Sequence, residues 1–123
     1  MTDVRAKLAE IGLTLPVAAK PVAAYVPAIR TGNLVFTAGQ LPLVDGAMAA
    51  TGKVGKDVSV EDAKKLAQVC ALNCLAAVET VADVNKIVKV VRVVGYVNGI
   101  PGFITPEESS TRSLSSRQIL PSR

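Results

Sequence analysis

Few side chains in this 123-residue chain can do chemistry, and most of those fail on inspection. There is no histidine, which removes histidine general bases, Ser-His-Asp triads and the commonest metal ligand. Cys70 and Cys74 stand four apart in a helical stretch, on one face beside Leu66, Ala67 and Val78. A disulfide within one helix turn has poor geometry, and a metal would need further ligands, so both read as small buried hydrophobes. "GAMAATGKV" imitates a phosphate loop, but the spacing from Gly46 to Gly52-Lys53 is one residue too long. Val54 also stands where a hydroxyl must reach magnesium. Asp57, Glu61 and Asp62 are carboxylates, yet the last two sit in a helix first turn, where the helix dipole accounts for them.

The stretch that remains is "AAYVPAIRTGNLVFTAGQLPL". Gly39 at a strand end lets another backbone or a ligand approach closely. Gln40 places an amide there, and Tyr25, one of two tyrosines, lies just upstream. These groups could line a pocket for a small polar ligand. They equally suit an ordinary strand exit with Tyr25 half-buried at an edge.

The elements that must position them follow from periodicity and punctuation. "TDVRAKLAEIG" predicts a short helix with Thr2 as N-cap, Val4, Leu8 and Ile11 on one face and Gly12 as the stop. Pro16 and Pro21 make the next segment extended. Thr31-Gly32-Asn33 makes a turn into a strand over 34–38, and "VDG" a second turn with a short strand. "SVEDAKKLAQVCALNCLAAVETVAD" is the clearest helix, capped by Ser59. Its apolar stripe runs through Ala63, Leu66, Ala67, Cys70, Cys74, Leu75, Val78 and Val81. "NKIVKVVRVVGYV" reads as a long strand over 87–97, covered on both faces. "NGIPGF" is a loop, and "TPEE" has the chemistry of a new helix start.

Composition bounds the rest. At 50% hydrophobic and 20% charged, one domain can bury a core. No apolar run reaches the roughly 18 residues of a membrane helix, and the N-terminus lacks the apolar block of a signal peptide. The expectation is a soluble cytoplasmic protein without membrane partners. The net charge of +4 points toward nucleic acid only until it is mapped. Through residue 108 the chain carries eleven Lys/Arg and ten Asp/Glu, and Arg112, Arg117 and Arg123 supply the remainder. With four aromatic residues and no Trp there is no stacking platform, so no nucleic-acid partner is expected.

"YVPAIRTGNLVFTAGQLPL", continued through "GKVGKDVSVEDAKKLAQVCALNCLAAVETVADVNKIVKVVRVVGYVNGIPGF", resembles the RidA/YjgF family of reactive-intermediate deaminases, earlier labelled endoribonuclease L-PSP or translation inhibitors. The resemblance covers roughly residues 10–108. It implies an α/β (α+β) chorismate-mutase-like fold, a sheet backed by helices, and three chains assembled into a homotrimer with clefts between subunits. It implies cofactor-free, metal-free hydrolysis of small 2-imino or enamine acids to 2-keto acids and ammonia. By position Tyr25, Gly39 and Gln40 match the family's pocket residues, and Ala38 stands where many members have Ser.

The resemblance also implies a carboxylate-binding Arg and a water-activating Glu on later strands. No residue after Glu108 matches their setting, and neither role passes to Arg112, Arg117 or Arg123, so no catalytic residue is assigned. The expected organisation is an incomplete family domain over 1–108 and a disordered Ser/Arg-rich tail over 109–123, with the C-terminal helix and strands missing. The first expectation for the tail is a reading-frame shift near Ser109, with a natural divergent tail or a disordered basic extension as the alternatives: one choice of codons for "SSTRSLSS" reads, in the neighbouring frame, as a Val-Ile-Asn-containing amphipathic helix. The valine strand would then lack neighbours and expose apolar faces. Two further functions stand beside the deaminase: a non-catalytic module that binds small carboxylates or joins trimers of a paralogue, and an RNA-directed translation inhibitor, which the near-neutral body disfavours.

Overall fold

The computed structural model describes residues 3–18 and 24–102. Pro21, the helix start at Thr105–Glu108 and the tail 109–123 with its three arginines lie outside the described residues. Among the described residues the architecture is mixed α/β: two α-helices, α1 (Val4–Glu10) and α2 (Val60–Glu79), a 3-10 turn (Val84–Lys86) and two antiparallel hairpins. The chain divides into two compact units, Met1–Ala50 with Lys64–Lys86, and Thr51–Ala63 with Ile87–Arg123.

In the first unit, β1 (Ala28–Thr31) pairs with β2 (Leu34–Thr37), Ala28 opposite Thr37 and Thr31 opposite Leu34. A two-residue Gly32-Asn33 turn joins them, the hairpin length that best matches strand twist. Alternation gives the hairpin two faces. Ala28 and Thr37 belong to one, and Ala28 is buried. Ile29, Leu34 and Phe36 belong to the other and stand exposed. β3 (Leu43–Val44) and β4 (Ala47–Met48) form the second hairpin around Asp45-Gly46. Both turn residues have positive φ, +51 and +81, the conformation that an Asp-Gly pair tolerates in a type I′ turn.

The core of this unit collects Ala28, Ala76, Ala77 and Val84. Small alanines on α2 let backbones approach closely. The buried face of α2 is centred on Asn73, Ala76 and Ala77, which corrects the expected stripe: Ala67 is exposed, and Cys70 and Cys74 flank the buried line half-covered. Helix α1 is capped by Asp3, whose carboxylate accepts from the Ala6 N–H at 3.2 Å. It is tied down at its first residue, where the Val4 N–H donates to Asn85 Oδ1 at 2.8 Å, and by an Arg5–Glu79 ion pair at 2.7 Å.

In the second unit, Lys53–Val58 forms a tight turn. The Lys53 carbonyl accepts from Asp57 and Val58 N–H groups, and the Asp57 carboxylate accepts the Lys53 N–H at 3.1 Å. An acidic side chain thus takes the backbone donor that a phosphate loop would offer to its ligand, in keeping with the failed spacing. Ser59 caps the start of α2 by accepting the Asp62 N–H.

The predicted valine strand is not a strand here. Residues 87–98 form no ladder, and the run meets Val54 only at its far end, through Val54 N–H to Asn98 O and Ile100 N–H to Val54 O. Val88 and Tyr96 are almost fully exposed, and Val90, Val91, Val93, Val94 and Val97 about half so. A β-strand is a property of a pair, and among the described residues no partner strand lies along this run.

Candidate functional site

The candidate residues Tyr25, Ala38, Gly39 and Gln40 gather at the open end of the first hairpin. The β1–β2 register continues one step beyond the strands, where the Ala38 N–H donates to Pro27 O at 2.9 Å. Beyond that bond no ladder forms: Ala24 and Tyr25 make a bend, and Val26, Gly39 and Gln40 belong to no strand. Tyr25 and Gly39-Gln40, fourteen and fifteen residues apart in sequence, lie on the two chain segments at the same end of the hairpin.

Each group is presented differently. Tyr25 is 44% exposed, so its ring is partly supported and its hydroxyl can meet a ligand. Ala38 is half-buried, and its methyl narrows the strand end. A Cβ built on Gly39 would meet nothing within 4 Å, so no part of the described chain makes the close approach that this glycine permits. The space in front of it is open to something else. Gln40 spends its Nε2 on the Ala38 carbonyl at 3.2 Å, which leaves Oε1 turned away as an acceptor.

Helix α2 holds the chain just after this segment. The Asn73 amide donates from Nδ2 to Leu41 O at 3.0 Å and to Leu43 O at 3.1 Å. The chain between those carbonyls is itself a tight turn about Pro42, closed by Leu43 N–H to Leu41 O at 2.8 Å. Asn73 is the one buried polar residue among the described residues. Sequence reasoning passed over it because a single Asn in an Ala/Leu/Val stripe has no periodic signature. The signal present was its register, three residues before Ala76 and four before Ala77.

The two thiols are kept neutral. Burial pushes Cys70 above its ordinary value, and the neighbouring Cys74 adds to that. Burial also pushes Cys74 up, while the Thr37 side chain opposes it. Neither has the electropositive, exposed setting of a nucleophilic cysteine. Among the described residues, no group of three or more His, Cys, Asp or Glu side chains could hold a metal ion, and no helix is long and apolar enough to cross a membrane.

The sequence profile of one family, Endoribonuclease L-PSP, matches residues 16–123. Protein TCP17 of Trypanosoma cruzi is 32% identical over 118 residues, spanning 95% of this chain and 72% of its own length. Among solved structures, Atu1372 from Agrobacterium tumefaciens, a protein of unknown function, superimposes with a TM-score of 0.73 at 38% identity, covering 91% of this chain and 67% of its own. A Shewanella oneidensis MR-1 protein named as a candidate endoribonuclease superimposes with a TM-score of 0.76 at 24% identity, covering 90% of this chain and 73% of its own, which bears on the fold alone.

Proposed function

The chain belongs to the endoribonuclease L-PSP family, and from that premise we propose that it binds small 2-imino or enamine acids at the open end of the first hairpin and hydrolyses them to 2-keto acids and ammonia. What supports this reading is the β1–β2 hairpin, whose open end is flanked by Tyr25 before β1 and Gly39-Gln40 after β2, with open space over Gly39. A small imino acid offers a carboxylate and a C=N carbon. The Gly39 N–H and the Tyr25 hydroxyl are donors suited to carboxylate oxygens, and Gln40 Oε1 is an acceptor suited to orienting a water. Water oxygen bonds to the imine carbon as one water proton passes to nitrogen. The resulting carbinolamine gives up its hydroxyl proton to nitrogen and expels ammonia, leaving the keto acid. No cofactor enters this balance.

Assembly into a trimer belongs to the same proposal. Its support is the exposed apolar face of Ile29, Leu34 and Phe36 on β1 and β2, 58%, 47% and 60% exposed, which a neighbouring copy would cover. In that arrangement the neighbour would complete the cleft over Gly39.

A second reading is favoured by what the four residues are. None is a carboxylate or a guanidinium, the groups that activate water and hold a carboxylate most strongly. On that reading the chain binds small carboxylates without turnover. RNA cleavage, which the family's name describes, draws less support from a chain without histidine.

One pair of experiments separates these readings. Keto-acid release is followed with an imine generated in situ by an amino-acid oxidase, and pyruvate binding is followed by amide chemical shifts of the full chain. A rate above spontaneous hydrolysis, with shifts at Gly39 and Gln40, supports the deaminase. Shifts without rate establish the binding module. Neither one overturns the site.

A further inference from the structure

We propose that the valine run of the second unit is an interaction surface for a second copy of this chain, in which Val91–Val97 of the two copies pair antiparallel about a two-fold axis at Val94.

The run lacks both kinds of partner that a strand requires. Among the described residues, no backbone N–H or C=O between Ile87 and Val97 makes a hydrogen bond, and the first to do so is Asn98 O, which accepts from Val54. In an extended strand Val91, Val93 and Val97 share one face and Val90, Val94 and Tyr96 the other, and all six are exposed. Residues 91–97 are β-branched for the most part, hold no proline and carry one charge, the composition of a segment that pairs with its like.

Charge and shape choose the register. Lys86, Lys89 and Arg92 lie on the run, and no acid does. A parallel in-register pair would set Lys89 on Lys89 and Arg92 on Arg92, which is destabilising. An antiparallel pair centred on Val91 would keep Lys89 and Arg92 of both copies in the ladder, each opposite a valine. Centred on Val94, the ladder runs from Val91 opposite Val97 to Val97 opposite Val91, and both lysines fall outside it. The remaining cation, Arg92, then stands opposite Tyr96, and the two-fold axis makes that pair occur twice. Tyr96 is 95% exposed in the single copy, so its ring face is free for an arginine to stack on. Val93 stands opposite Gly95, where a Cβ would meet nothing within 4 Å, so the valine has room to lie over bare backbone. This contact draws nothing from the pocket or trimer readings: its residues belong to the second unit, whereas Ile29, Leu34 and Phe36 belong to the first.

The test is cross-linking by register in the full chain, with Cys70→Ala and Cys74→Ala removing the free thiols. Val94→Cys would face its own symmetry mate, with Cα atoms roughly 4.5–5.5 Å apart and within disulfide reach. Val91→Cys would lie about 20 Å from its mate. Under mild oxidation Val94→Cys is expected to give a linked dimer. Val91→Cys and Val97→Cys, each alone, should give about tenfold less, and an equal mixture of those two should give the mixed dimer. Equal yields at all three positions would mean parallel or unregistered association and would overturn the proposal. So would no linkage at Val94, the result expected if another segment of this chain covers the run or if copies meet only through the hairpin face. Hydrogen exchange in the wild type reads the contact without substitution: protection of the Val91–Val97 amides should fall on dilution to the monomer. Protection that the monomer keeps, or that is absent at every concentration, overturns the pairing. Tyr96→Leu, which keeps apolar bulk but removes the aromatic face, should weaken dimerisation by about tenfold, and unchanged dimerisation would refute this register.

Discussion

Replacing Gly39 with alanine separates structure from function at the proposed pocket. The new Cβ would meet nothing within 4 Å of the described chain, and Gly39 is not among the glycines held at positive φ. Folding therefore has no reason to suffer. Gly→Ala at a compatible position removes freedom from the unfolded chain and stabilises by about 0.4–1 kcal/mol. For a chain of this length that is a rise in Tm of about 1–4 °C. Binding should move the opposite way. A methyl in front of the Gly39 N–H blocks its approach to a carboxylate oxygen, and a hydrogen bond to a charged group is worth about 1.5–3 kcal/mol. Affinity for pyruvate should drop roughly ten- to a hundredfold. Thermal melting and an amide-shift titration of the same protein read both quantities. A Tm that falls by more than about 5 °C would show that something in the chain occupies the space. A raised Tm with unchanged affinity would falsify the role of Gly39 in binding.

Gly52→Ala should do the reverse in the second unit. With φ of +123 and Asp57 against its Cβ position, the substitution costs about 1–3 kcal/mol of backbone strain and strains the Asp57–Lys53 bond, and urea unfolding should show a clear loss of stability. At the docking of α1, Asn85→Ala should cost about 1 kcal/mol, whereas Arg5→Ala, which removes an exposed ion pair, should cost less; the reverse order in urea melts would refute the weighting. Both thiols ionise less readily folded than unfolded, so the native state holds its protons longer. Their contribution to stability is full below the ordinary thiol value of 9.0 and is lost as pH rises through the raised folded values. Urea midpoints should fall above pH 9 by more in the wild type than in a Cys70→Ala, Cys74→Ala double variant.

The parts of the fold legible in the sequence were those that local chemistry decides. The Gly32-Asn33 and Asp45-Gly46 turns, the Ser59 cap and the periodicity of residues 60–79 each carry their own signal. The first helix was placed correctly, with its cap read one residue early. Thr2 and Asp3 are both capping types, and the choice is made by the Asp3–Ala6 bond and by Asn85, which is 81 positions away from the residue it binds. The valine run was not decided locally. Its composition favours a strand, but a ladder needs a second strand, and a sequence can name a strand without naming its partner.

The site divides along the same line. Tyr25, Gly39 and Gln40 could be proposed because their residue types do chemistry and because a readable turn puts them on the two segments at one hairpin end. Asn73 could not, because its importance lies in which backbone it reaches. An asparagine in an alanine-rich helix looks like a blemish in the stripe until the strand exit is packed against it. Then it becomes the group that fixes where the stripe can sit: turning α2 to bury Ala67 in place of Ala76 and Ala77 would carry the amide away from Leu41 and Leu43 and leave it costly and unpaired. The polar residue therefore selects the rotation of the helix, and through that rotation it places the backbone on which the proposed pocket is built.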